Sequence, residues 1–312
     1  MSFNIKFKRI KYLLILLIIM QVMLYLVTPK PIDYSFEEER TILSDFFAVF
    51  VSFVIPLLII LGVSMKKKKL ESKKTLFEVE SLFEEKISIK QILYTLIMAL
   101  LMSVLIFYVV NLLKVILILI TNNYQILEAK PDFSIILFFG TIIFMTILAF
   151  FEEIIFRKMI FVTLKHNKNF CMFFSALVFS LFSDGLFTSF SVFILGLFLI
   201  WFFIKSNSLI FCMMLHIFYN VFTLLFNSLL DLPFRAMILI NNYISAIGFF
   251  GMFLIYLGII ILCYKIMMLI FENMFDCKND VKIKNDKFFV KEKVGFVVTI
   301  IILVVFYCLR IF

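Results

Sequence analysis

Residues 133–157 read FSIILFFGTIIFMTILAFFEEIIFR. From Phe133 to Phe151 no side chain is charged; Glu152, Glu153 and Arg157 then follow in quick succession. As a helix, such an apolar stretch rises nearly 30 Å, about the thickness of a bilayer's hydrocarbon core. The first part therefore reads as a membrane span, and the second as an ionisable cluster at its end.

The pattern repeats along the chain. Nine candidate spans fall at roughly 12–28, 42–64, 91–120, 133–156, 170–186, 188–204, 208–229, 242–270 and 295–309. The composition agrees, with 64% hydrophobic and 16% charged residues among 312 and a mean hydropathy of +1.12, against about a quarter charged in a soluble domain. The expected fold is an all-α polytopic transmembrane bundle of eight or nine spans, integral to the plasma membrane. These numbers exclude a secreted or cytosolic protein and a nucleic-acid binder. The five cysteines, Cys171, Cys212, Cys263, Cys277 and Cys308, have no CxxC spacing, mostly sit in apolar runs and read as small apolar fillers. The first span follows Lys6, Lys8, Arg9 and Lys11 and resembles a signal peptide's apolar region, but no small-x-small site follows, so it reads as a retained anchor.

Orientation follows from where Lys and Arg collect. With the N-terminus inside and the spans alternating, 24 fall in inside segments and five (Lys30, Arg40, Lys130, Arg235, Arg310) outside. The N-terminus is expected to be cytoplasmic. Lys66 to Lys69 open a long cytoplasmic loop that turns acidic at Glu78, Glu80, Glu84 and Glu85. It reads either as a solvated linker helix with a topology signal or as a dock for anionic lipid. The expected organisation is a two-span region over 1–90, a core over 91–230 and C-terminal spans over 231–312.

An ionisable side chain inside a span costs about 2.5 to 3.5 kcal/mol at the centre by insertion scales, so it marks function by default. Asp45 and Lys114 are isolated, and snorkelling or local pairing explains them. The cluster after Phe151 is different. On a helix Glu153 and Arg157 are i and i+4 neighbours and can pair on one face, while Glu152 points about 100° away from that pair. A carboxylate outside the pair in an apolar setting suits a general base; equally, the three charges suit a helix end meeting the cytoplasm. His216 adds weight to the first reading. It lies about 12 Å into a later span that enters from the same side, and Asn220 follows one turn on. Glu, His and an amide are the groups that activate water and polarise a carbonyl.

Glu152-Glu153-x-x-x-Arg157 resembles the first motif of the CAAX-protease and bacteriocin-processing (CPBP, or Abi) family of intramembrane metalloproteases. Ser206 to Asn220, a polar turn and an apolar run ending in HxxxN, resembles its last motif, and Gly196 fits the small residue before that turn. The resemblance covers about 150–220. It implies Glu152 as general base, His216 as metal ligand or oxyanion partner, Asn220 as oxyanion donor, and Glu153 and Arg157 as support. A divalent metal such as zinc, with Glu152 and His216 among its ligands, is implied in the same way. The family's FxxxH motif is altered: Phe179 leads to Ser183 where a histidine is expected. Asp184 next door is a carboxylate that could bind a metal or hold the water, or belongs simply to the turn between spans. His166 sits in a basic turn and does not replace the missing imidazole.

Three functions are compatible with these residues. The first is an intramembrane endopeptidase that cuts a membrane-associated peptide or protein near the cytoplasmic side. The second is a pseudoprotease of the same fold that binds a peptide or partner, as an immunity or maturation factor. The third, a transporter, is disfavoured by only 8 Gly and 5 Pro. The bilayer is the expected environment in each, and nucleic acid a partner in none. Cys308 is fifth from the end, so the chain carries no C-a-a-X box.

Overall fold

A computed structural model describes residues 3–27, 51–56, 58, 88–121, 135–164, 167–183, 185–206, 208–241, 246–274 and 290–311. Among the described residues all regular structure is helical and there is no strand. The elements are α1 (Phe3–Val27), α2 (Ile89–Thr121), α3 (Ile135–Glu152), a π-helical segment (Glu153–Met159), α4 (Ile160–Leu164), α5 (Lys168–Ser180), α6 (Leu186–Ser206), α7 (Leu209–Asn241), α8 (Ala246–Met274) and α9 (Val290–Ile311). Residues 51–56 are also helical. Among the described residues, six helical stretches are long and apolar enough to cross a bilayer, and two shorter apolar helices, Lys168–Ser180 and Gly295–Arg310, accompany them. The chain is an integral, multi-pass membrane protein.

Several span ends differ from the sequence reading. The span expected at 170–186 is the 13-residue α5, about 20 Å long and shorter than a hydrocarbon core. Its end is chemical. Ser183 Oγ donates to Ser180 O at 2.6 Å, so a hydroxyl takes up a carbonyl that a further turn would have bonded; Ser180 Oγ adds a bond at 2.8 Å to Leu177 O, which also accepts from Leu181 N. Gly185 then turns the chain with φ +80, a left-handed conformation open to glycine. In the other direction, the helix expected to stop near 229 continues to Asn241, and the stretch expected to end at 156 stays helical to Leu164. Most of the span expected at 42–64 lies outside the described residues.

Local signals set two helix starts. Asn167 caps α5, its side chain accepting from Phe170 N at 3.1 Å. Ser88 and Gln91 form a reciprocal capping box before α2, Ser88 N donating to Gln91 Oε1 at 3.0 Å and Gln91 N to Ser88 Oγ at 3.3 Å.

The chain divides into two compact units, 1–85 with 143–213 and 281–312, and 86–142 with 214–280. In the first, α1 packs along α9, α5 along α6, and the π segment and α4 against α5. Gly196 of α6 permits the closest approach, because a Cβ there would lie 2.9 Å from Ala176 Cα. Phe53, Phe156, Phe179 and Phe182 interlock nearby, with ring centroids 5.1 to 6.3 Å apart. In the second unit α2 packs along α8, and Tyr108 meets Tyr256 at 5.0 Å.

Candidate active site

The charged cluster falls where the backbone changes its winding. Glu152 is the last residue of α3, and Glu153 opens seven residues of π-helix. Such segments are rare and arise where a side chain or water enters the hydrogen-bond ladder. Here Ser175 of α5 supplies the side chain: its Oγ donates to Phe156 O at 2.6 Å, and both groups are buried. Ile160 N then reaches back to Ile155 O, a bond of five residues.

Within this segment Arg157 Nε lies 3.2 Å from Glu153 Oε2, and neither side chain has any exposed surface. The guanidinium also sits over the Phe179 ring, 4.3 Å from its centroid. The sequence expectation of an i, i+4 pair is met, on π-helical rather than α-helical backbone. Phe179, the first residue of the altered FxxxH motif, thus covers the arginine of the EExxxR motif. Glu152 is half-buried beside the fully buried pair.

Ser183, at the position of the expected imidazole, belongs to a hydrogen-bonded turn. Its Oγ donates to Ser180 O at 2.6 Å and lies 3.0 Å from Ser189 Oγ; Ser189 Oγ in turn donates to Gly185 O at 2.8 Å and pairs with the Tyr307 hydroxyl. Arg310 Nη2 of α9 donates to both Ser183 O and Leu181 O, and Gln21 of α1 donates to Leu181 O at 3.2 Å. Asp184 and His166 lie outside the described residues.

His216 and Asn220 belong to the second unit, on consecutive turns of α7. His216 is buried and Asn220 half-buried. Glu152 is therefore assigned to one unit and the His216–Asn220 pair to the other. Among the described residues, no three His, Cys, Asp or Glu side chains lie close enough together to hold a metal ion. Catalytic zinc takes three protein ligands and leaves one position for water, and Glu152 and His216, the two ligands implied by the resemblance, would need a third donor to complete such a set.

Sequence reasoning missed the residues that tie the turn at Ser183. Gln21 is an amide in the middle of an otherwise apolar run, and it was a readable signal that something polar needed a partner there. Arg310 was counted as an outside loop charge, but it is half-buried and donates to backbone. Ser175 carried no signal in its own helix, because its partner is a carbonyl on another.

Residues 134–222 match the family model described as Type II CAAX prenyl endopeptidase Rce1-like, which covers under a third of the chain. None of the curated proteins and none of the solved structures compared with it match. The matched segment contains Glu152, Glu153, Arg157, Ser183, Asp184, His216 and Asn220, so every site residue read from the motifs lies within a stretch similar to CAAX prenyl endopeptidases.

Proposed function

We propose that this chain is an intramembrane endopeptidase of the CAAX-protease type, cutting a membrane-associated peptide or protein near the cytoplasmic side. The observation that carries it is the matched segment 134–222, which holds both the buried Glu153–Arg157 pair with Glu152 beside it and the His216–Asn220 pair on α7. In this reading Glu152 takes a proton from water as the water oxygen bonds the scissile carbonyl carbon. His216 and Asn220 hydrogen-bond the resulting oxyanion. The C–N bond then breaks, and Glu152 returns the proton to the departing amine. Glu153 and Arg157 hold the backbone that carries Glu152, and Asp184 or a water stands in for the imidazole missing at Ser183. Glu152 and His216 would be among the residues to hold a divalent metal, which would polarise the carbonyl; metal analysis of the purified protein tests that point separately. Residues 91–230 form the catalytic core, flanked by 1–90 and 231–312. The excess of Lys and Arg in alternate loops, 24 against five, supports a cytoplasmic N-terminus; the plasma membrane is the membrane proposed.

The test is a peptidase assay in nanodiscs against a pool of membrane-associated peptides, comparing the wild-type chain, Glu152→Gln and Ser183→His. Cleavage by wild type that disappears in Glu152→Gln is the expected result. A specific observation favours a second reading: Ser183 is engaged within its turn and offers no imidazole. A silent wild type with activity gained in Ser183→His would establish that reading, a protein that binds membrane peptides without cutting them.

A further inference from the structure

Four threonines in the described helices satisfy their hydroxyls in the same way. Thr95, Thr121, Thr163 and Thr299 each donate to the carbonyl four residues back, at 2.8, 2.7, 2.7 and 2.9 Å. Thr223 of α7 does not: its Oγ1 is buried and makes no hydrogen bond among the described residues. Asn111 Nδ2, in the same unit, is likewise buried without a hydrogen-bond partner among them. The two are linked through a ring contact, because Phe107, one turn before Asn111, meets Phe226, one turn after Thr223, at 6.5 Å. A buried hydroxyl left unsatisfied is costly, so a helix that could bond it internally and does not is holding it for something else.

The register of α7 indicates what that partner would be. At about 100° per residue, His216, Asn220 and Thr223 fall within about 60° of one another. Along the axis Thr223 lies about 10 Å beyond His216. An extended peptide rises about 3.3 Å per residue, so this distance equals about three residues of unwound chain. A membrane-spanning substrate has to unwind where it is cut, and its freed N–H and C=O groups find no water in hydrocarbon. A polar stripe along a helix would take them up.

We propose that α7 is the substrate-binding strip, and that Thr223 hydrogen-bonds the backbone of an unwound transmembrane peptide about three residues from the bond addressed by His216 and Asn220. The inference rests on the protease reading and names its substrate class, a helix-broken membrane-spanning segment. Thr223 is a positioning residue, and its effect belongs to binding.

The experiment measures binding of a labelled Leu/Ala membrane-spanning peptide with a mid-span Gly-Pro pair to the Glu152→Gln chain in nanodiscs. The comparison peptide lacks the Gly-Pro pair. Thr223→Val, added to that background, is expected to weaken binding of the Gly-Pro peptide about 3- to 10-fold, the value of one neutral hydrogen bond. Thr223→Ser restores it, and the uninterrupted peptide binds less tightly and shows no dependence on Thr223. Equal affinity for Thr223→Val and its parent overturns the inference, as does equal affinity for the two peptides or no binding to the parent. If the wild-type chain still cleaves the peptide pool in any of these cases, the protease reading stands and only the strip is lost. If cleavage also fails, both fall.

Discussion

Replacing Arg157 by methionine tests whether the buried pair acts as one unit. Arg157 and Glu153 are both fully buried and 3.2 Å apart, so removing the cation strands a carboxylate inside an apolar bundle. Removing one partner of a buried pair costs about 3–5 kcal/mol. Losing the guanidinium from the Phe179 ring, 4.3 Å away, adds about 1–2 kcal/mol. The expected destabilisation of Arg157→Met is therefore about 4–7 kcal/mol, against about 5–15 kcal/mol for a whole domain. The double variant Glu153→Leu/Arg157→Met removes both charges and should recover most of that loss, because apolar replacement of a buried pair is often neutral. Trp201 is the chain's single tryptophan and lies in α6, so its fluorescence reports unfolding in a detergent titration. Additive effects in the double variant, with no coupling above about 0.5 kcal/mol, would refute the argument, and so would an Arg157→Met chain as stable as wild type.

Other outcomes follow from single contacts. Gly196→Ala places a Cβ 2.9 Å from Ala176 Cα, and the forced separation of α5 and α6 should cost about 1–3 kcal/mol; Gly251→Ala, with nothing within 4 Å, is the neutral control in the same titration. Ser175→Ala deprives Phe156 O of its donor and should destabilise by about 1–3 kcal/mol, with faster amide exchange measured across 153–160. Arg310→Met removes the donor shared by Leu181 O and Ser183 O; amide exchange at 180–185 should rise while that of α2 and α8 stays unchanged.

The membrane architecture was legible because apolar length alone reports it: every stretch chosen as a span contains a described helix, although the one chosen at 170–186 leaves the helix at Ser180. The Glu153–Arg157 pair was legible for a related reason, since two opposite charges four residues apart on a helix have few other partners in hydrocarbon. The π segment was not. Its cause is Ser175, nineteen residues away, and no local pattern announces a hydroxyl that will enter another helix's ladder. The early end of α5 was hidden in the same way. Ser180 and Ser183 read as tolerable helix residues, and the groups that stabilise an open turn there, Gln21 and Arg310, come from opposite ends of the chain. Periodicity describes what a helix buries, and says little about which distant donor will take its last carbonyls.

The turn around Ser183 also imposes a schedule on synthesis. Gln21 precedes Leu181 by 160 residues and is already in place when that carbonyl emerges. Arg310 follows it by 129 residues. At about 5–20 residues per second, the ribosome needs about 6–26 s to deliver the second donor. During that interval the turn that carries Ser183 has one of its two braces, so the segment matched to CAAX endopeptidases reaches its final form only when α9 has entered the bilayer.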